Sequence, residues 1–383
     1  MCIDQSTVKP RHKEAINFAS LMGEWHWKRS YERIYKEQQG MWLTPSELFT
    51  PYYSNILANF VSSSMKYSLE QNNDGEFAYD IVELGGGRGT NASALLNYLH
   101  NKHPDMYECL DNYTIFDTSP TLHNLQREFL VSGSDNETKI HADKIKLVNV
   151  DLMNIAEGIS PFLLTSSKPT FVIALEVLDN LPHDKIMRCA RSREVLQAEV
   201  IPFEASHGSE TFRTLNDKLL EEILSRAPEL YVPKVFEEPR WIPTVALGIL
   251  LKLFECRPNS SIAFADFDWL PLPDVKSSIG IARSAMNDPL VTDMHGQDHT
   301  CYLSSPADVL CDILFPTDFH NLASFIKRID HDNKFSVLYM KQHEFLLKHG
   351  TEEVEQTKSW LTGYSPLIHD FGNCSVLEVT RQK

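Results

Sequence analysis

The chain is poor in basic residues for its size: its 383 residues carry 36 Lys and Arg against 52 Asp and Glu, a net charge of -16. Duplex nucleic acid is held by clustered Lys and Arg on phosphates, so no DNA or RNA partner is expected. Long apolar runs are also missing. The most apolar stretch, Val245 to Phe254, is interrupted by Lys252 and falls far short of the roughly 20 residues a membrane span needs. There is no C-x-x-C pair; Cys2, Cys109, Cys189, Cys256, Cys301, Cys311 and Cys374 are odd in number and scattered. That spacing excludes a disulfide framework and fits a reducing compartment. The first thirty residues mix Lys9, Arg11, His12 and Lys13 with Asp4, Glu14 and Glu24, which is neither a secretory signal nor an acid-poor transit peptide. Internal repeats and low-complexity tracts are absent.

What is present is ordinary folded-protein composition, with 42% hydrophobic, 10% aromatic and 23% charged residues. The length suits one large elaborated domain or two smaller ones. Helical periodicity runs through Glu14 to Gln39, and Thr44-Pro45-Ser46-Glu47 reads as a cap opening a second helix that continues to Phe60. The polar loop Gln71 to Gly75 closes this N-terminal helical region. Beyond it, strands are predicted at Tyr79–Leu84, Asn112–Phe116, Ile145–Val150 and Thr170–Leu175, the last three followed by Asp117, Asp151 and Glu176. Strands alternating with helices predict a mostly parallel sheet, whose ligands sit at the strands' carboxyl ends. Glu194–Pro202 is a further strand candidate. Asn216–Phe236 and Trp241–Phe254 read as helices, and Ser261–Phe267, Phe335–Leu338 and Ser375–Val379 as strands that complete the sheet. Between them, Leu270–Pro316 reads as irregular.

Between the first strand and the next helix lies Glu83-Leu84-Gly85-Gly86-Gly87-Arg88-Gly89-Thr90. Glycines let a backbone turn tightly and approach a ligand closely. A dinucleotide fingerprint G-x-G-x-x-G would need glycine where Thr90 stands, whereas acid-x-Gly-x-Gly-x-Gly is met by Glu83, Gly85, Gly87 and Gly89. That spacing prefers S-adenosyl-L-methionine, whose amino group suits Glu83 and whose ribose hydroxyls suit Asp117. Asp151 and Leu152 are assigned to the adenine. A different nucleotide or a plain structural turn is the alternative for the loop, and a helix cap is the alternative for Asp151. Glu176 and Asp179 are the candidate catalytic pair, able to hold a cationic acceptor; the alternative is two acids favouring a helix N-terminus.

Thr44, Ser46 and Glu47 either close over this site or form only a capping turn. Asp293, His295, Asp298, His299 and Cys301 match no zinc spacing, so no metal is expected. Trp25, Trp27, Tyr52 and Tyr53 read as core aromatics.

The loop Glu83 to Thr90 resembles the E-L-G-P-G-R-G-T loop of the MidA family, mitochondrial methyltransferases that help assemble respiratory complex I. Gly40–Glu47 resembles that family's G-D-F-I-T-S-P-E, Phe116–Pro120 its V-E-V-S-P, and Glu176–Pro182 its E-F-F-D-A-L-P, in matching order and spacing. The resemblance is specific from about Ile16 to Glu199. Phe315–Phe319 is similar to a V-D-F-type segment, while Gly86 replaces a proline, Asp117 a glutamate, and Asp266-Phe267-Asp268-Trp269 stands at a D-Y-G. The resemblance implies an α/β, Rossmann-type class I methyltransferase with an N-terminal helical region (1–75), a cofactor-binding core (76–205), a helical insertion (206–260) and a C-terminal part completing the sheet (261–383). It further implies a mitochondrial protein arginine methyltransferase acting on a complex I-type subunit, with a homodimer as the candidate assembly. A small-molecule methyltransferase and a non-catalytic assembly or scaffold protein remain the alternatives.

Overall fold

The computed structural model describes residues 16–22, 45–70, 77–132, 139–204, 207–271, 288–293, 298–299 and 311–382. Its centre is a seven-stranded sheet, whose strands we number in chain order as β1 (Tyr79–Leu84), β2 (Leu110–Asp117), β3 (Ile145–Asn149), β4 (Thr170–Leu175), β5 (Ser260–Phe267), β6 (Phe335–Lys341) and β7 (Cys374–Arg381). The spatial order is β6-β7-β5-β4-β1-β2-β3. Strands β1 to β5 run parallel, and β7 is inserted antiparallel between β5 and β6. The chain winds outward from β1 through β2 to β3, then returns to β4 on the other side of β1. The carboxyl ends of β1 and β4 therefore flank the crevice where this class of sheet binds ligands.

Alternation along each central strand feeds two cores. Val82 and Leu84 of β1, Val172 and Ala174 of β4, and Ile262 and Phe264 of β5 pack on one face, against the helices Leu152–Ala156, Thr244–Cys256 and Phe319–Ile329. Tyr79 and Ile81, Phe171 and Ile173, and Ala263 and Ala265 pack on the other, against Tyr52–Glu70, Thr90–Lys102 and Gln342–His349. Each fully buried large apolar side chain removes enough surface from water to contribute about 1.5–3 kcal/mol. Burial on both faces explains why these strands read as near-continuous apolar runs.

Prolines shorten three of the expected helices. The helix expected from Thr44 through Phe60 is two, Pro45–Leu48 and Tyr52–Glu70, with Pro51 at the break. Asn216–Phe236 contains Lys218–Arg226 and Pro228–Tyr231, because Pro228 bars the helical conformation at Ala227 (φ -139°). Trp241 lies in the strand Arg240–Ile242, and the apolar helix starts only after Pro243, at Thr244. The segment expected as a helical insertion carries these helices and also β-structure. Ile16–Asn17, Asp184–Arg188, Val195–Glu204, His207–Thr214 and Arg240–Ile242 form a separate antiparallel sheet. A third, small sheet of Leu290–Asp293, Asp298–His299 and Cys311–Leu314 replaces part of the stretch expected to be irregular. Of the helix expected over Glu14–Gln39, residues 16–22 are described, and they hold the strand Ile16–Asn17 and the short helix Phe18–Leu21. Trp25, Trp27, the loop Gln71–Gly75, His295 and Cys301 lie outside them. Among the described residues no helix is long and apolar enough to cross a membrane, and no cluster of His, Cys, Asp or Glu is arranged for a metal.

The helix Thr244–Cys256 crosses from β4 towards β5 and meets Leu152–Ala156 at Gly248, where an added Cβ would stand 2.8 Å from Ala156 Cβ and 2.9 Å from a Leu219 methyl. Gly248→Val should therefore lower stability by about 1–3 kcal/mol through overpacking, read as a fall in the denaturant midpoint at unchanged slope.

Candidate active site

A cleft of about 360 Å³ opens at the carboxyl ends of β1, β2 and β4. It gathers every sequence-predicted site residue that is described except Gly89, which sits just behind it as the N-cap of Thr90–Lys102. Thr44 lies outside the described residues.

The glycine loop forms its floor. Gly85 and Gly87 have φ of +66° and +53°, the left-handed region where a side chain is strained. At Gly85 a Cβ would strike Val177 at 2.7 Å, whereas at Gly87 nothing lies within 4 Å. The first is closed by packing and the second opens on the cleft. Glu83, at the end of β1, is buried beneath this loop. Its carboxylate accepts from Asn91 Nδ2 at 2.8 Å and Tyr113 Oη at 2.8 Å. Burial pushes its pKa up and these two donors oppose the shift. Each oxygen keeps a second lone pair, so Glu83 can accept one further donor from the cleft side. Asp117 Oδ1 accepts the Ser119 N–H at 2.9 Å, and Oδ2 accepts Gln126 Nε2 at 3.2 Å. The same Gln126 amide donates to the Gly87 carbonyl at 2.7 Å, tying the second strand's acid to the loop. Asp151 caps the helix Leu152–Ala156 through the Met153 N–H at 3.0 Å, the alternative left open for it, while also lining the cleft beside Leu152 and Met153.

The helix Pro45–Leu48 brings Ser46 and Glu47 to the rim. Glu47 hydrogen-bonds the Thr90 side chain and lies beside the Arg88 guanidinium; burial raises its pKa and those two contacts pull it back. Phe49 meets Phe371 edge-on at 5.6 Å, and Phe371 lines the opposite rim.

Glu176 and Asp179 occupy the other side. Glu176 is a non-glycine residue with φ of +53°, a conformation that costs about 1–2 kcal/mol. Its N–H donates to the Ala265 carbonyl of β5 at 2.8 Å. Asp179 sits in the single 3-10 turn Leu178–Asn180 and is 1% exposed. The chain leaves that turn for Pro182 and the strand Asp184–Arg188, so no helix follows for these acids to cap, which removes that alternative. Two further carboxylates that sequence reasoning missed stand with them. Asp266 ends β5, and Asp312 comes from Cys311–Leu314. The pKa of Glu176 is pushed up to about 8, first by burial and then by Asp266. Asp179 is held well above its ordinary value by burial, Asp266, Asp312 and Glu176 together. Asp266 is pushed up to about 7 by burial, opposed by backbone N–H groups. Asp266 lies inside the predicted strand Ser261–Phe267, one residue before its end, so the strand-end signal that picked out Asp117 and Glu176 did not mark it; Asp312 lies in the stretch read as irregular and had no such signal.

The residues fit S-adenosyl-L-methionine. An open left-handed glycine gives its backbone room, Glu83 and Asp117 offer acceptors for the amino group and ribose, and Phe116, Leu122, Leu152 and Met153 offer apolar walls. Arg88 is the one basic side chain lining the cleft among the described residues. Gly87→Arg should lower calorimetric affinity for this cofactor by at least about a hundredfold while leaving the fold intact, because the new side chain enters open space in the cleft.

Acid burial has a stability consequence. The folded chain holds protons on Glu176 and Asp266 that the unfolded chain releases near their ordinary values of 4.5 and 3.8. Between those values and about pH 8 the native state binds more protons, so stability falls as pH rises across that window. In thermal melts without cofactor, Glu176→Gln should flatten the decline between about pH 5 and about pH 8.

A family model described as "Putative S-adenosyl-L-methionine-dependent methyltransferase" matches residues 61–336. No curated protein matches the chain. Among solved structures, a Burkholderia thailandensis protein bound to S-adenosyl-homocysteine is 16% identical, with a TM-score of 0.65 over 96% of this chain and 88% of that one. The native structure of an uncharacterized protein from the same organism is 18% identical, with a TM-score of 0.64 over 96% of this chain and 87% of that one. At these identities both are likenesses of fold. The family match extends from the helix before the glycine loop to β6 and takes in both halves of the cleft; the chain belongs to this S-adenosyl-L-methionine-dependent methyltransferase family.

Proposed function

We propose that this chain is a protein arginine N-methyltransferase of the MidA type, acting in mitochondria on a complex I-type subunit. The organelle and the subunit rest on the sequence resemblance. The acceptor group rests on one observation: three carboxylates, Glu176, Asp179 and Asp266, are buried together beside the cofactor half of the cleft, with a fourth, Asp312, close to Asp179. Such a cluster gains most from an acceptor that brings its own positive charge. A guanidinium does so, and its planar fork matches paired carboxylates.

The cofactor supplies an electrophilic methyl group; the protein's part is to bind, orient and manage a proton. Glu83, Gly85, Gly87, Thr90 and Asp117 hold the cofactor, with Asp151 and Leu152 at its adenine end. Ser46 and Glu47 close the rim and exclude water. Glu176 and Asp179 hold the guanidinium, fix one nitrogen towards the methyl donor, and take up the proton that nitrogen releases. A carboxyl with a pKa near 8 is well suited to that last role at physiological pH. Orientation supplies much of the rate, by turning an encounter into a held geometry.

The test is labelling of a mitochondrial extract and of arginine-bearing peptides with methyl-tritiated cofactor, followed by mass spectrometry of the labelled residue. The expected result is label on arginine. The value of kcat/KM should rise with pH to a plateau above about 8, as free-enzyme Glu176 ionises. Glu176→Gln should lower it by at least about a hundredfold and abolish that limb. Label only in the small-molecule fraction would replace the protein acceptor by a metabolite. Cofactor binding with no label anywhere would favour the scaffold reading.

A further inference from the structure

The acid cluster is held in place by a side chain that does not itself line the cleft. Asp266 is 1% exposed and collects three backbone donors. Its Oδ2 accepts the N–H of Leu178 at 2.7 Å and of Asp179 at 3.1 Å, and its Oδ1 accepts its neighbour's, Phe267, at 2.7 Å. Leu178 and Asp179 belong to the 3-10 turn that follows Glu176, 87 and 88 positions away in the chain. From outside, the Phe315 N–H also reaches the turn, donating to the Asp179 carbonyl at 2.9 Å, but the Leu178 and Asp179 amides themselves are taken by Asp266. Within the turn the backbone contacts are long i to i+3 ones, Asn180 N–H to Val177 O at 3.2 Å and Leu181 N–H to Leu178 O at 3.3 Å. Glu176, just before it, is strained at positive φ and anchored by its own N–H to β5. A strained residue persists only where its surroundings over-determine it.

We propose that Asp266 is a positioning residue for methyl transfer, its carboxylate clamping the Val177–Asn180 turn to the end of β5 so that Glu176 and Asp179 face the cleft. The inference rests on the function proposed above, and it adds a residue that touches neither cofactor nor acceptor. Its charge acts as well as its geometry. The groups facing Glu176 and Asp266 are Asp179 on the turn, Asp312 on Cys311–Leu314, Tyr53 on Tyr52–Glu70 and Cys374 on β7, with Asp268 adjoining Cys374. Among the described residues none of these is a cation, so backbone N–H groups alone offset the charge on Asp266, which is the second cause of the raised pKa of Glu176.

Asp266→Asn is nearly isosteric but offers one acceptor oxygen where three donors converge, so some N–H must face an amide NH2. The full-length variant is read in three ways. Affinity for S-adenosyl-homocysteine by calorimetry should stay within about threefold of wild type, because Asp266 lies outside the cleft lining. Protection of the Leu178 and Asp179 amides against hydrogen exchange should fall by at least about tenfold. The Glu176 carboxyl, followed by 13C NMR with δ-labelled glutamate and assigned through Glu176→Gln, should titrate about one pH unit below its wild-type midpoint. A variant with the Glu176 midpoint and both amides unchanged would overturn the proposal.

Should the variant fail to fold, the wild-type chain gives the same answer. An ionised carboxylate is the stronger acceptor, so protection at Leu178 and Asp179 should rise as pH climbs through about 7, where Asp266 ionises. Protection independent of pH there would overturn the proposal. None of these carboxyl and amide readings needs a methyl acceptor. Failure of the arginine reading would show instead as wild-type chain that binds cofactor and labels no arginine.

Discussion

Glu176, Asp179 and Asp266 share a corner from which water is largely excluded, with Asp312 beside Asp179, and the geometry of the cleft follows from how that burial is tolerated. A carboxylate removed from water is costly unless it is paired, hydrogen-bonded or protonated. Among the described residues no Lys or Arg joins them in the cleft lining other than Arg88, which lies with Glu47 at the rim. Asp266 is compensated by three N–H donors. Glu176 and Asp179 are compensated by retaining protons to higher pH. The sheet imposes the arrangement: parallel β1, β2, β4 and β5 end at one edge, so residues that follow them must share it.

The two halves of the cleft handle their acids differently. On the glycine-loop side each acid has its own neutral donors, Asn91 and Tyr113 for Glu83 and Gln126 for Asp117. These donors stabilise the ionised form and hold it still, which suits acceptors meant for the fixed hydrogen bonds of a bound cofactor. On the other side the dominant neighbours are like charges and apolar burial. That side is left with proton affinity near physiological pH, the property a group needs if it is to receive a proton during a reaction. The division runs along the boundary between β1 and β4, where the order of the sheet reverses.

Most of the central sheet was legible because its strands bury both faces and stop on acids, a pattern carried by contiguous residues. Asp117, Asp151 and Glu176 could be placed at one edge on that basis alone. What escaped depends on residues distant in the chain. Glu83 was read as an acceptor for the cofactor's amino group; that Tyr113 from β2 and Asn91 from the following helix hold it is not announced by their spacing. Asp266 lies within its predicted strand, and its contacts with the turn after β4 need the knowledge that β5 lies beside β4. Of the second sheet only Glu194–Pro202 was read as a strand; Ile16–Asn17 and Trp241 lay in stretches read as helix. Prolines 51, 228 and 243 break the expected helices. Each sits where a periodic apolar pattern runs on while the backbone cannot.

The order of elements and the resemblance suggested a cofactor-binding core bounded near residues 76 and 205, flanked by a helical region, a helical insertion and a part completing the sheet. The contacts around the cleft do not respect such boundaries. Glu47 reaches Thr90 from one flank, Phe371 meets Phe49 across the rim from the other, and Tyr53 Oη donates to Gln342 Oε1 at 3.2 Å behind the acid cluster. Residues some three hundred positions apart therefore close one cavity. The cofactor half is supplied by the central segment, but the walls that exclude water and the carboxylates Asp266 and Asp312 come from the rest. A methyl donor could dock on the glycine loop alone. A desolvated acid cluster beside it needs β5 paired with β4, β7 paired with β5 and the helix Tyr52–Glu70 packed on the sheet, so in this fold the carboxyls with raised pKa are a property of the whole chain.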